Sequence, residues 1–185
     1  MKTFAVIDTE TNWYNEVMSI GVAVADAYTY ELIDSRYYIL TPECLAGGMY
    51  SLALPLMHEE VEPCSRADAL GDLIDFLNEN GVQSIFAYNA QFDYGHLGEL
   101  ADFMWFDIMK IAAYRQYNYK IPFAAECCKT GRLKRNYGVE PIIRMLSGDY
   151  SYCETHNALY DAIDELTIMK LLNLPFDTYN LAAIN

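Results

Sequence analysis

The sequence predicts an α/β domain in which helices flank a mixed β-sheet. Two observations support this fold class: the first forty residues contain three strand patterns in succession, and strand and helix patterns alternate in the remainder. The chain has 185 residues, 53% of them apolar when Tyr and Cys are counted. This length and composition suit a single domain over residues 1–185 with a core of ordinary size.

The N-terminal strands are predicted at Thr3 to Asp8, Val17 to Ala25 and Arg36 to Leu40, joined by short turns as a meander. The first strand is an apolar run that closes at an acidic residue. Because side chains on a strand alternate between its two faces, Asp8 and Glu10 share one face. Two carboxylates side by side at a strand end are costly unless a cation neutralises them.

The central part of the chain predicts a helix followed by a strand. The helix begins at Ser65, with Asp68 as a capping-box variant, and ends at an Asn-Gly pair. Its apolar positions have helical spacing: Ala69, Leu70, Leu73, Ile74 and Leu77. The strand from Ser84 to Tyr88 then delivers Asn89 and Asp93 just beyond its end.

Three more helices are predicted, at Asp107 to Tyr117, from Pro141 in a first turn to Leu146, and at His156 to Asn173. The last has an apolar face that includes Leu159, Ala162, Ile163, Leu166 and Met169. The segment after Pro175 is apolar enough to pack back onto the body of the domain or to contact another subunit.

Composition excludes several classes of protein. No stretch approaches the roughly 18 to 20 continuous apolar residues of a membrane span. The N-terminus lacks the features of a signal peptide, so we expect a cytoplasmic protein. The five cysteines include no Cys-x-x-Cys pair, which argues against a disulfide framework and against a zinc cluster.

The formal net charge of −14 argues against a protein that clamps long duplexes through a broad basic face. Positive charge is concentrated in one short segment that contains Lys129, Arg132, Lys134 and Arg135. This segment is either a local contact to a phosphate backbone or a solvated loop.

Five residues in three short segments form the candidate catalytic set: Asp8, Glu10, Asp93, His156 and Asp161. Hydrolysis of a phosphodiester needs an activated water and neutralisation of the charge that builds on the phosphoryl oxygens, and two divalent ions supply both. Carboxylate oxygens suit Mg²⁺ or Mn²⁺ better than zinc. Asp93 or Asp161 taken alone fits a capping or surface role, whereas Asp8 follows four apolar residues, where burial is expected. The prediction rests on the set.

The three segments that carry this set read DTET from Asp8, NAQFD from Asn89 and HNALYD from His156. Their order and spacing resemble the DEDDh family of 3′-to-5′ exonucleases over most of the chain. The resemblance implies the ribonuclease H-like fold and two divalent cations. It also implies that Asp8 bridges the two ions, that Glu10 and Asp161 serve the ion binding the attacking water, and that Asp93 serves the other.

His156 does not share a helical face with Asp161, so it should lie at the entrance of the last helix. The resemblance implies that it takes the proton of the attacking water, a role that suits an imidazole with an ordinary pKa of about 6.5.

The resemblance also implies substrate contacts from residues in or near the motifs: Thr9, Thr11, Trp13, Tyr14, Asn89 and Phe92. An aromatic ring at Trp13 or Tyr14 could stack on a base, although Trp13 equally suits an anchor of its loop to the core. The chain departs from the family here. Family members often have a glycine shortly after the glutamate, whereas this sequence has Thr11-Asn12-Trp13 after Glu10.

Other polar residues receive structural interpretations. His58 and His96 fall outside the motifs, and we expect structural or solvent-facing roles. Asp107 is predicted to cap a helix, and its family counterpart lies near the nucleotide. Asp164 and Glu165 are predicted to face solvent or to support the site from behind.

The predicted function is metal-dependent 3′-to-5′ exonuclease activity on single-stranded DNA or RNA, with release of nucleoside 5′-monophosphates. One alternative is an enzyme of the same chemistry that acts on a small nucleotide ester. Another is a non-catalytic module that binds nucleic acid or protein. Several stand-alone relatives are dimers, so a homodimer is an expectation from the resemblance, and a polymerase or other DNA- or RNA-processing partner stays open.

Overall fold

The computed structural model describes residues 2–56 and 60–185. Its strands form one sheet in the order β3-β2-β1-β4-β5. Their bounds are β1 Thr3–Thr11, β2 Val17–Asp26, β3 Leu32–Ile39, β4 Ser84–Ala87 and β5 Met104–Asp107. The first three strands pair antiparallel, whereas β1, β4 and β5 run parallel. The predicted mixed sheet is confirmed.

Within residues 2–56 and 60–185, five α-helices accompany the sheet: α1 Arg66–Glu79, α2 Gln91–His96, α3 Met109–Ala112, α4 Val139–Ser147 and α5 Ala158–Leu172. The predicted start of α1 is confirmed, because the Ser65 hydroxyl accepts a hydrogen bond from the Asp68 main-chain N–H at 3.2 Å. Short 3₁₀ turns cover Glu43–Ala46, Ser51–Ala53, Gly98–Leu100 and Phe176–Ala182.

The alternation of side chains along β1 divides the core into two layers. Ala5 and Ile7 pack with α1 on one face of the sheet. Phe4 and Val6 pack with α4 and α5 on the other. Because alternate residues share a face, Asp8 and Glu10 continue the row that faces α5.

Several predicted bounds differ from the structure. β1 extends to Thr11, so Asp8 and Glu10 lie inside the strand, and β3 begins earlier, at Leu32. The predicted helix from Asp107 to Tyr117 is wrong beyond Ala112. Its second half instead pairs with a distant segment, since Tyr114 bridges Arg132. The elements β5 and α2 had no predicted counterpart.

The C-terminal segment packs back onto the body of the domain, which confirms the first of its two predicted roles. Tyr179 is buried in the α5 face of the core, and the Ile184 N–H donates to the Trp105 carbonyl at 2.9 Å. Among the described residues, none of the helices combines the length and apolar character needed to cross a bilayer.

Candidate active site

The strand β1 presents Asp8 and Glu10 toward the first turns of α5. Asp8 is partly buried and Glu10 is 9% exposed. On the neighbouring strand, Gly21 pairs with Asp8 and Ser19 pairs with Glu10. The two carboxylates therefore project from the sheet at the point where the motif-bearing helix approaches it.

The approach of α5 depends on Gly21. A Cβ atom built on Gly21 would lie 2.1 Å from the carbonyl carbon and oxygen of Ala158, far inside any real contact. Only glycine lets the main chain of α5 come this close. The first turn of α5, which contains Asp161, thus lies beside Asp8.

Asp93 reaches the site from α2. It is 2% exposed, and the Thr9 hydroxyl donates to its Oδ1 at 2.7 Å. The Thr9 side chain, predicted to contact substrate, thus points to Asp93, so a substrate contact from Thr9 stays a prediction. Because β1 and β4 run parallel, the segment after β4 returns to the same edge of the sheet as Glu10.

His156 lies just before α5, as predicted, in the left-handed backbone region with φ of 57°. Glu10, His156 and Asp161 each offer a ligand atom, and these atoms all lie within 4.8 Å of one another. Asp8 and Asp93 stand outside this triad. Both repel the triad electrostatically. Asp93 raises the pKa of Glu10, and Asp161 and Glu10 raise the pKa of Asp8.

Burial raises the pKa values of all four carboxyl groups. Desolvation and the neighbouring Asp161 raise the pKa of Glu10 to about 8. Desolvation raises the pKa of Asp93 to about 7, and desolvation together with Glu154 raises that of Asp161 to about 7. The pKa of Asp8 lies well above its ordinary value, first through desolvation and then through repulsion by Asp93. Four anions at this site need a positive charge.

Two carboxylate oxygens of the site also indicate the need for a cation. Asp8 Oδ2 and Asp161 Oδ1 are buried and have no hydrogen-bond partner among the described residues. A buried carboxylate oxygen without a partner is strongly disfavoured. Carboxylate oxygens are the ligands that Mg²⁺ and Mn²⁺ prefer, so the donor set fits a divalent cation.

Two further carboxylates, Glu165 and Glu154, lie beside the site. Glu165 is 2% exposed, so the solvent-facing alternative is wrong for it, and its Oε2 accepts the Tyr88 N–H at 2.9 Å. Glu165 follows Asp161 by four residues, and this helical spacing places the two carboxyl groups on the same face of α5. Glu154 raises the pKa values of Glu10 and Asp161, and its only sequence signal was its nearness to His156.

A loop after β3 covers His156. The Tyr50 ring stacks on the imidazole with centroids 4.0 Å apart and planes inclined by 18°. Burial lowers the pKa of His156, which favours the neutral imidazole that a proton acceptor requires.

Asn157 ties this loop to α5. Its Oδ1 accepts the N–H groups of Leu159 and Tyr160, which caps the helix. Its Nδ2 donates to the Ala53 carbonyl at 2.7 Å and to the Leu54 carbonyl at 3.2 Å. One buried side chain thus fixes the helix start and the loop that carries Tyr50.

Several of the predicted substrate-binding residues are exposed. Trp13 is 65% exposed, so the alternative in which it anchors its loop to the core is wrong. Tyr14 is 75% and Phe92 is 40% exposed. The loop that bears the first two is held by Asn12, whose Oδ1 accepts the N–H groups of Tyr14 and Glu16.

Thr11 and Asn89 complete that set. Thr11 ends β1, and its carbonyl lies so near Gly48 that a Cβ there would be 2.6 Å from the oxygen. Asn89 is exposed and has a left-handed φ of 63°. Thr11 directly follows Glu10, and Asn89 begins the segment that ends at Asp93. Their contacts with substrate stay predictions.

Asp107 and His96 have structural contacts. Asp107 ends β5, and its Oδ1 accepts the N–H groups of Met109 and Asn89. His96 lies within hydrogen-bond distance of the carbonyls of Phe92 and Asn15. His58 lies outside the described residues. In the basic segment, Lys129, Lys134 and Arg135 are exposed, whereas Arg132 is partly buried.

No family model matches the chain, and no curated protein sequence matches it. Solved structures do. The nuclease domain of 3′hExo, described as a DEDDh family member bound to rAMP, superposes with a TM-score of 0.68 at 16% identity, over 100% of this chain and 96% of that domain. Exonuclease X, solved with 5′-overhanging duplex DNA, gives a TM-score of 0.54 at 18% identity, over 92% of this chain and 91% of that one.

Exonuclease I of E. coli, solved as a zinc-bound complex with single-stranded DNA, gives a TM-score of 0.64 at 14% identity. The match covers 93% of this chain and 40% of exonuclease I. At identities this low, the superpositions establish the fold alone. The expected ribonuclease H-like architecture is confirmed. The chain therefore has the fold shared by these nucleases, among them a DEDDh family member.

Proposed function

We propose that the chain is a metal-dependent 3′-to-5′ exonuclease that hydrolyses single-stranded DNA or RNA and releases nucleoside 5′-monophosphates. The observation that carries this proposal is the meeting of Glu10, His156 and Asp161 beside Asp8, with two buried carboxylate oxygens lacking a partner. Such a set suits cation-assisted hydrolysis of a phosphodiester.

In this proposal Asp8, Glu10, Asp93 and Asp161 hold two divalent cations, Mg²⁺ or Mn²⁺. The cations would neutralise charge on the phosphoryl oxygens and lower the pKa of the attacking water. Thr9 and Glu165 support the site from behind: the Thr9 hydroxyl orients Asp93, and the Glu165 carboxyl accepts the Tyr88 N–H and so holds the main chain that leads to Asp93.

His156 accepts the proton of the attacking water at a ring nitrogen. Three features support this role: its nearness to Glu10 and Asp161, its lowered pKa, and the stacked Tyr50 ring that fixes the imidazole plane. The proton leaves the site as the ring exchanges it with solvent.

The 3′ end of a single strand is the proposed partner. The exposed rings of Trp13, Tyr14 and Phe92 offer stacking surfaces for unpaired bases, which supports single-stranded substrates. The 3′hExo and exonuclease I structures hold rAMP and single-stranded DNA, which supports the same class. A homodimer and a polymerase partner stay predictions, which light scattering and pull-down would test.

The net charge of −14 favours a second candidate, an esterase of the same chemistry for small nucleotide esters. Its discriminating measurement is binding. A twelve-nucleotide strand that binds more tightly than a dinucleotide supports the polymer substrate, and equal affinities support the small ester.

The test of the proposed function is a time course with 5′-labelled single-stranded DNA and RNA, with and without Mn²⁺. We expect a cation-dependent ladder that shortens from the 3′ end, absent with Asp8→Asn protein. Equal degradation by the parent and the Asp8→Asn protein would contradict the assigned site, because Asp8 is the carboxylate repelled by all three others.

A further inference from the structure

A cavity of about 280 Å³ opens beside the segment that leads from β4 to Asp93. It is lined by Tyr88, Asn89, Met109, Arg132, Tyr137 and Gly138, and we call it the Arg132 pocket. Its lining includes Asn89, the first residue of the second motif, and Arg132 of the basic segment, whose role the proposed mechanism does not use.

The Arg132 side chain is prearranged in this pocket. Its main chain is fixed on two sides, by a bridge to Tyr114 and by the Cys128 N–H, which donates to the Arg132 carbonyl at 2.7 Å. The guanidinium lies 4.9 Å from the centre of the Tyr137 ring. Tyr137 is held in turn, because the Tyr88 hydroxyl donates to its carbonyl.

The guanidinium of Arg132 makes no hydrogen bond and no ion pair within residues 2–56 and 60–185. This is notable in a chain with 26 acidic and 12 basic residues. The ion pairs between arginine and an acid in the described part of the chain involve Arg36, Arg66 and Arg144. Five N–H donors of a partly buried cation are thus available for a ligand.

The Arg132 pocket adjoins Asp93 through the main chain after β4. The Tyr88 N–H donates to Glu165, which lies beside Asp8 and Asp93. The next residue, Asn89, accepts the Phe92 N–H in the turn that leads to Asp93. A strand whose scissile phosphate lies over the carboxylates can therefore reach this pocket with a neighbouring group.

We propose that the Arg132 pocket binds a phosphate of the substrate strand other than the one being hydrolysed. A guanidinium matches a phosphate through two parallel N–H···O bonds, and the Tyr137 face holds its plane for that approach. The inference rests on the proposed function, since it places a second phosphate of the same strand. The phosphate is either an internal phosphodiester or a 5′-terminal phosphate.

Three short substrates separate these sources: NpN carries only the scissile phosphate, pNpN adds a 5′-terminal phosphate, and NpNpN adds an internal phosphodiester. The sugar is the one that the parent protein hydrolyses. The test variant is Arg132→Ala. The control is Lys134→Ala, which removes one positive charge from an exposed position of the same segment. Arg132→Lys keeps the charge and loses the planar fork.

We expect Arg132→Ala to lower kcat/KM on pNpN or NpNpN by about ten- to a hundred-fold, and on NpN by less than about two-fold. Lys134→Ala should match the parent, and Arg132→Lys should fall between. Loss on pNpN alone assigns the terminal phosphate, and loss on NpNpN alone assigns the internal one. Thermal unfolding of each variant separates folding defects from binding defects.

An equal loss on NpN, or no loss on any substrate, overturns the inference while leaving the exonuclease intact. A parent protein that hydrolyses no strand at all overturns the proposed function instead. If the parent shortens long strands but none of the three short ones, competition of the short ones against a labelled strand for binding carries the same expectations.

Discussion

Gly21 of β2 lies against the main chain of Ala158, and no side-chain atom fits between them. Gly21 is also the residue that pairs with Asp8. The contact therefore sets the distance between the acidic strand and the helix that supplies Asp161. A residue without chemistry of its own thus determines the geometry of the site.

Replacing Gly21 by alanine should push α5 off the sheet. We expect a loss of about 1–3 kcal/mol in the free energy of unfolding and a disproportionate loss of activity. Chemical denaturation and the strand-shortening assay measure the two. The control is Gly71→Ala in α1, where an added Cβ meets nothing within 4 Å, and a gain of about 0.5–1 kcal/mol is expected. Full activity in the Gly21→Ala protein would refute the positioning role.

The cation-free protein should lose stability as the pH rises from about 5 to about 8. The folded-state pKa values of Glu10 and Asp161, about 8 and about 7, exceed the ordinary values of 4.5 and 3.8. In that window the folded protein binds more protons than the unfolded chain, so the free energy of unfolding falls with pH. Thermal unfolding across this range tests the sign.

Mg²⁺ or Mn²⁺ should reverse this loss, because a bound cation offsets the repulsion among the charged carboxylates. The rise in Tm on adding cation should be larger at pH 8 than at pH 5. Glu10→Gln should reduce both the pH slope and the cation effect. A Tm unchanged by cation at pH 8 would argue against a cation site.

Asn157→Ala should destabilise the protein by about 1–3 kcal/mol, since it removes a helix cap and leaves the Ala53 and Leu54 carbonyls unpaired. Activity should fall as well, because the cap also positions His156. Ser65→Ala, which removes the cap of α1 away from the site, should cost about 1 kcal/mol and leave activity unchanged. Equal activities of the two variants would separate Asn157 from the site.

Tyr50→Ala should lower kcat by freeing the His156 ring, whereas Tyr50→Phe should keep most of it, because the contact is a ring stack. Rates at saturating substrate measure the difference. If Tyr50→Phe lost as much as Tyr50→Ala, the hydroxyl and not the stack would be the important group.

Trp13→Ala should raise KM for strands by about five- to 150-fold if one base stacks on the exposed indole, without loss of stability. Tyr28→Ala removes another exposed ring, in a turn after β2, and should leave KM unchanged. A parental KM for the Trp13→Ala protein would remove Trp13 from the substrate-binding residues.

The elements predicted from the sequence are those with strong local signals. The β1 pattern of apolar residues and the Ser65 cap each lie within a few neighbouring residues, so pattern alone located them. β5 has four residues and depends on pairing with β4 and on contact with the C-terminal segment, which no local pattern reveals. Likewise, the helix predicted through Tyr117 stops at Ala112 because distant Arg132 competes for the main chain.

The site followed the same division. Asp8, Glu10, Asp93, His156 and Asp161 could be proposed from the sequence because each lies in a short contiguous motif, and the fold brings these motifs together. Tyr50 and Glu154 belong to no motif, so only the folded chain shows them beside His156 and the acids. The role of Gly21 was missed because a glycine within a strand pattern does not reveal that the main chain of Ala158 packs against it.

The left-handed backbone of His156 also decides how an inactive protein is best made. With φ at 57°, this position accommodates asparagine more readily than alanine. His156→Asn should therefore remove the imidazole while leaving the start of α5 in place. If His156 is the proton acceptor, this protein should keep its carboxylates and its Arg132 pocket without hydrolysing the strand, so it could serve as bait that retains the natural substrate from cells for sequencing.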